Sequence, residues 1–167
     1  MSLPQQLQSL LDKANADNQL IKKEFSKLKS KKPKDLDDQF HMRHDSVFRK
    51  IDCLECANCC KTMTPTYTVR DLKRISKHFG MTVTAFQKKW LRREKGGDRD
   101  WMNKSTPCQF LNTKDNKCSI YAIRPADCAG FPHLAKDFQD YVHIHHQNVD
   151  SCPATFALVE KMMADFQ

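Results

Sequence analysis

At 167 residues the chain has room for one domain with an appended arm, and a core of ordinary size can form without disulfide cross-links. No apolar run approaches the roughly 20 residues of a membrane span, and Met1 to Gln6 show no basic stretch leading into an apolar one, so the expectation is a cytoplasmic protein with no membrane partner. The formal charge of +8 counts thiols as neutral; two zinc ions each held by four thiolates would leave about +4, which weakens a composition-based case for nonspecific nucleic-acid binding.

Leu3, Leu7, Leu10, Leu11, Ala14, Ile21, Phe25 and Leu28 recur at three-to-four-residue spacing and predict one or two amphipathic helices up to about residue 32, interrupted at Asp17 and Asn18. Pro33 ends that region, and the lysines from Lys29 to Lys34 read more simply as a solvated helix end than as a phosphate patch. A further helix over Asp38 to Ile51, with Phe40, Val47, Phe48 and Ile51 on its apolar side, leads into the first cysteines. Beyond them, Thr68 with Asp71 three residues on forms a capping signature for a helix bearing Leu72, Ile75 and Phe79, closed by Gly80.

Thr82 or Thr84 can start the next helix, with Phe86, Trp90 and Leu91, so a helical hairpin is predicted. Its basic residues, Arg70, Lys73, Arg74, Lys77, Lys88, Lys89, Arg92 and Arg93, suit a solvated face or a protein or nucleic-acid partner about equally. Gly96-Gly97-Asp98 predicts a break, and Trp101 to Lys104 a short strand. Residues 108–111 and 117–121 flank the turn-rich 112–116, predicting a β-hairpin with a cysteine on each arm. Arg124-Pro125 suits the opening of a short helix, closed by Phe131-Pro132. His143 and His145 alternate with Val142 and Ile144 as on a strand, and Pro153 to Phe166 predicts a terminal amphipathic helix.

The chemistry concentrates in the cysteines. A reducing compartment turns eight thiols away from disulfides and toward metal ligation or redox work. Thiolate is a soft donor that suits zinc and iron-sulfur centres, and the two-residue gap lets both sulfurs of a pair reach one ion from a tight turn. That gap occurs twice in succession, Cys53 to Cys56 and Cys56 to Cys59, with Cys60 adjacent; Cys108, Cys118, Cys128 and Cys152 follow at long intervals. Successive side chains diverge in most backbone conformations, so Cys59 and Cys60 do not comfortably serve one tetrahedral ion. Two four-cysteine sites, one iron-sulfur cluster with spare thiols, and a two-metal cluster with shared sulfurs all stay open. His133, His143, His145 and His146 read as surface or packing residues.

The segments Cys53-Leu54-Glu55-Cys56-Ala57-Asn58-Cys59-Cys60, Pro107-Cys108-Gln109-Phe110-Leu111, Cys118-Ser119-Ile120-Tyr121, Arg124-Pro125, Cys128, Phe131-Pro132 and Cys152-Pro153 together resemble the YkgJ-type cysteine-cluster family, a zinc- or iron-chelating domain. Asn58, where many members carry glycine, and Ala129, where arginine-like residues are frequent, depart from its pattern. The resemblance implies zinc or iron chelation, with an iron-sulfur cluster among the alternatives. The leading expectation is a metal-binding protein rather than an enzyme, beside an iron-sulfur redox or methyl-transfer enzyme and a zinc-stabilised nucleic-acid or protein adaptor. A related domain in flagellin lysine N-methylases suggests a methyl-transfer alternative, but with four glycines this chain has little room for a glycine-rich nucleotide loop. The expected fold is a mainly helical α+β domain stapled by metal, with a short β-hairpin, an N-terminal helical arm over 1–45 and the cysteine-cluster domain over 46–167. For Arg124 two roles stand side by side, donation to thiolate sulfur or nearby carbonyls and a surface salt bridge beside the helix start. Metal ions are the expected ligands; the oligomeric state is open.

Overall fold

Two compact units divide the chain, and the second is inserted into the first: residues 2–56 and 132–167 form one, 57–131 the other. The computed structural model describes residues 3–31, 34–94, 100–134 and 137–165. The predicted breaks at Lys32-Pro33 and Gly96-Gly97-Asp98, and the last apolar position at Phe166, lie outside the described residues. In chain order the elements are α1 (Gln5–Ala16), α2 (Asn18–Lys31), α3 (Leu36–Phe48), α4 (Cys53–Cys56), α5 (Asn58–Thr62), β1 (Thr66–Tyr67), α6 (Val69–His78), α7 (Val83–Trp90), β2 (Leu91–Arg93), β3 (Trp101–Asn103), β4 (Leu111–Asn112), β5 (Lys117–Cys118), a 3-10 turn at Tyr121–Ile123, α8 (Ala126–Gly130), α9 (Phe138–Asn148) and α10 (Pro153–Asp165). The fold is α+β and mainly helical, as the sequence implies. Among the described residues no helix is long and apolar enough to cross a membrane.

The outer unit is helical. Leu7, Leu11 and Ala14 on α1, Ile21, Phe25 and Leu28 on α2, and Leu36, Phe40 and Val47 on α3 are the buried positions of three amphipathic stripes. α1 and α3 pack on α10, and α2 and α3 on α9. Asp37 of α3 accepts from the backbone N–H of Phe138 at 2.6 Å, satisfying a donor that the first turn of α9 cannot pair internally. The strand expected around His143 and His145 is instead α9. Its buried positions Phe138, Val142, His145 and Val149 fall four, three and four residues apart, the spacing of a helix face, and this outweighs the local alternation.

The inserted unit is built on the predicted helical hairpin. The capping box on α6 is complete: Thr68 Oγ1 accepts from Asp71 N–H at 3.1 Å, and the Asp71 carboxylate accepts from Thr68 N–H at 3.0 Å. At the other end Gly80, at φ +62°, donates to Lys77 O and Met81 donates to Ser76 O, the paired bonds of a Schellman stop that asks for a left-handed residue. Thr82, rather than Thr84, caps α7 by accepting from Ala85 N–H at 3.1 Å. Replacing Thr68 by Ala should remove half of the box and lower stability by about 1 kcal/mol. Urea unfolding followed by tryptophan emission checks it, with an unchanged midpoint as the contrary result.

The core of this unit gathers Tyr67, Leu72, Ile75, Phe86, Leu91, Phe110 and Ile120, with Cys108 and Cys118 packed against its edge. Phe86 and Phe110 stack 5° from parallel with ring centroids 6.4 Å apart, and Trp90 meets both edge-on. A three-stranded antiparallel sheet runs in the order β1-β3-β2, with Tyr67 opposite Trp101 and Leu91 opposite Asn103. The hairpin β4-β5 pairs Leu111 with Cys118, so Cys118 lies on an arm as expected. Cys108 does not: it sits in the turn before β4, where its carbonyl accepts from Leu111 N–H at 3.0 Å.

Candidate metal centre

The left-handed residue Ala57, at φ 47°, separates α4 from α5, so the dense cysteine run is split between two short helices and between the two units. Cys53 and Cys56 lie in the outer unit, the first exposed and the second buried. Cys59 and Cys60, both half-buried, begin the inserted unit together with Cys108, Cys118 and Cys128.

Four segments of the inserted unit carry these cysteines, and hydrogen bonds tie the segments to one another, to β1 and to α6. Cys108 N–H donates to Cys60 O at 2.8 Å, fastening the turn before β4 to α5. Ser119 N–H donates to Phe110 O at 2.8 Å, fastening the segment after Cys118 to the segment after Cys108. α8, which carries Cys128, is held from both sides. Asp127 accepts from Thr66 N–H at 2.8 Å, and Asp71, only 2% exposed, accepts from Ala126 N–H at 3.2 Å. Arg74 bridges the same region, donating to Asp71 at 2.7 Å and to Arg124 O at 2.9 Å.

Burial and neighbouring charge move these thiols in different directions. Burial pushes Cys128 up well beyond the usual thiol range, and negative charge on Cys60, Cys108, Asp127 and Cys118 pushes it further. Burial raises Cys108 as well, against backbone N–H donation from Phe110 and amide donation from Asn103. Cys118 is raised by burial against N–H donation from Ile120 and the positive charge of Arg124. Cys60 moves the other way, down to about 7, because Cys59 hydrogen-bonds to it and Lys61 is near. Tyr67 is driven up by burial and then by Cys108, Cys128, Cys118 and Asp71. Charge on Cys60 disfavours ionisation of Cys108, Cys118 and Cys128, a cost that a bound cation would offset.

The N–H groups of Phe110 and Ile120, each two residues past a cysteine, donate toward sulfur, and so does the Asn103 side chain. Such donors stabilise thiolate over thiol and are the outer bonds a metal–thiolate centre uses. The donor set of the inserted unit therefore fits a soft, thiophilic ion. Among the described residues no three cysteine, histidine, aspartate or glutamate side chains are drawn in tightly enough to hold an ion as they stand. Arg124 takes the carbonyl alternative, donating to Tyr121 O at 2.8 Å with its guanidinium 3.9 Å from the centre of the Tyr121 ring.

Cys152 occupies a different setting. It immediately precedes α10 in the outer unit, its carbonyl accepts from Phe156 N–H at 3.1 Å, and the N–H groups of Ala154 and Thr155 donate toward its sulfur. That is the position and bonding of a helix N-cap, with sulfur in the place serine oxygen usually takes. Among the histidines, His143 is exposed, whereas His145 is fully buried against Phe40 and Phe138, with ring centroids at 4.9 and 5.8 Å. Asn103 escaped sequence reasoning because its partners Tyr67, Cys108 and Gln109 meet only once the sheet and the turn are formed.

Thiols delivered from four short elements, with amides aimed at sulfur, define a cysteine-cluster domain. The chain belongs to the CxxCxxCC family, described as "Putative zinc- or iron-chelating domain", which it matches over residues 52–153. It is also similar to the uncharacterized protein MJ0661 of Methanocaldococcus jannaschii, with 32% identity over 76 residues, covering 46% of this chain and 41% of that protein. The matching region thus spans less than half the length of that relative. No solved structure matches the chain.

Proposed function

We propose that the chain is a zinc- or iron-binding protein whose principal centre lies in the inserted unit, with Cys60, Cys108, Cys118 and Cys128 as ligands and Cys59 as the neighbour that prepares Cys60. The separate anchoring of the four segments that carry these cysteines, with N–H donors directed at the sulfurs of Cys108 and Cys118, is the observation that carries this reading. Metal would supply the positive charge that the buried thiols lack, and side-chain rotation would close the shell around it. Asp71, Asp127 and Arg74 hold α8 in place from outside the centre, and Phe110, Ile120 and Asn103 direct N–H groups to sulfur. The family membership supports zinc or iron alike.

The test is anaerobic purification without added metal, followed by elemental analysis, acid-labile sulfide assay and an absorption spectrum. A colourless protein with zinc identifies a four-thiolate zinc centre; iron with sulfide and broad visible absorption identifies an iron-sulfur cluster. Serine at Cys60, Cys108, Cys118 or Cys128 should each abolish stoichiometric metal, whereas Cys152→Ser should retain it and keep the helix cap. Folded natural protein carrying only traces of both metals would defeat the proposal.

A further inference from the structure

Asn103 is the end residue of β3, fully buried, and uses both ends of its amide. Its Oδ1 accepts from the Tyr67 hydroxyl at 2.7 Å and from Gln109 Nε2 at 2.9 Å, and its Nδ2 lies 3.3 Å from Cys108 Sγ. The two donors on Oδ1 fix which way the amide faces. A sulfur without its proton has only lone pairs to present, so an amide oxygen turned toward it would be repelled and the N–H accepted. The Tyr67-Asn103 pair belongs to the sheet: Tyr67 and Asn103 stand on neighbouring strands β1 and β3, while Cys108 and Gln109 come from the turn that follows.

We infer that Asn103 is the positioning residue for the Cys108 ligand, its amide locked by Tyr67 and Gln109 so that Nδ2 donates to the metal-bound Cys108 sulfur. This rests on the four-thiolate centre proposed above and deepens it. The bond stabilises the thiolate that the ion requires and withdraws electron density from that sulfur, so Cys108 becomes a weaker electron donor than the same residue without the amide. Tyr67 acts one step further out. Its hydroxyl donates to Asn103 Oδ1 and so fixes the face that Asn103 presents.

Co(II) serves as the probe in the full-length chain, because its sulfur-to-metal charge-transfer absorption reports how tightly the thiolates hold their electrons. Asn103→Leu should weaken Co(II) binding by about tenfold and move that absorption to lower energy. Tyr67→Phe, which keeps the ring in the core, should move it in the same direction by less. An unmoved band in folded Asn103→Leu protein would overturn the inference. Should that variant fail to fold, the natural chain loaded with ¹¹³Cd decides: a scalar coupling between cadmium and the Asn103 side-chain amide protons across sulfur is expected, and its absence overturns the assignment. A natural chain that shows neither the cobalt absorption nor a bound cadmium signal defeats the metal centre itself, an outcome distinct from a loaded centre blind to Asn103.

Discussion

Stripping the metal with a strong chelator should shift tryptophan emission to the red while changing the helical far-ultraviolet signal much less. Both tryptophans, Trp90 and Trp101, lie in the inserted unit with the four proposed ligands. Trp90 is ringed by Phe79, Phe86 and Phe110, and Trp101 carries Arg93 at 4.4 Å over its ring. The longer helices α1, α2, α3, α9 and α10 belong to the outer unit and hold their own buried stripes. The strands beside the thiols are two or three residues long, and two-stranded pairs of that size are marginal alone. A structural four-thiolate zinc site in small domains contributes on the order of 10 kcal/mol, more than this unit could lose and stay folded. Emission unchanged after complete metal removal would show that the unit folds on its aromatic core alone.

Acid should destabilise the chain through His145. Neither ring nitrogen of this buried imidazole has a hydrogen-bond partner among the described residues. Burial, followed by the charges of His133 and His143, lowers its protonation midpoint to about 4. The folded value lies below the ordinary one of about 6.5, so protonation favours the unfolded chain. Stability from this group is complete above pH 6.5 and is lost as pH falls from there toward 4, by up to about 3 kcal/mol. His145→Leu should flatten that part of the profile, and the variant should gain on the natural chain as pH falls. Comparing the two by urea unfolding at pH 7.5 and 4.5 cancels the acid sensitivity that the thiolates share. A stability difference that does not change between the two pH values would exclude His145 as the cause.

The same residue marks where the sequence misled. Over 142–145 the order Val-His-Ile-His alternates in polarity, and a four-residue window cannot tell a strand face from part of a helix. Phe138 and Val149, outside that window, complete the helical stripe. Where the signals were chemical rather than periodic they located elements closely: Thr68 with Asp71, Gly80, and the 112–116 turn all act as their side chains require. The proposed ligands were visible as residue types but not as neighbours. Nothing in the spacing separates Cys152, which caps α10, from Cys128, because the distinction depends on the chain passing from one unit to the other at Phe131-Pro132. Nor does any local pattern announce Asn103, whose partner Tyr67 is 36 residues away.

The insertion of one unit within another bears on the order of folding. For the outer helices, residues 57–131 are a connection that must be closed before α1 to α3 can meet α9 and α10. Closing a flexible connection of roughly 75 residues costs about 4 kcal/mol in chain entropy, and a connection already folded is effectively shorter. Metal captured by the inserted thiols would thus bring distant parts of the chain into reach before the outer helices dock. Ion supply during synthesis would then govern the assembly rate of helices that hold none of the four proposed ligands, and a chain made in metal-starved cells would spend longer with its amphipathic faces uncovered.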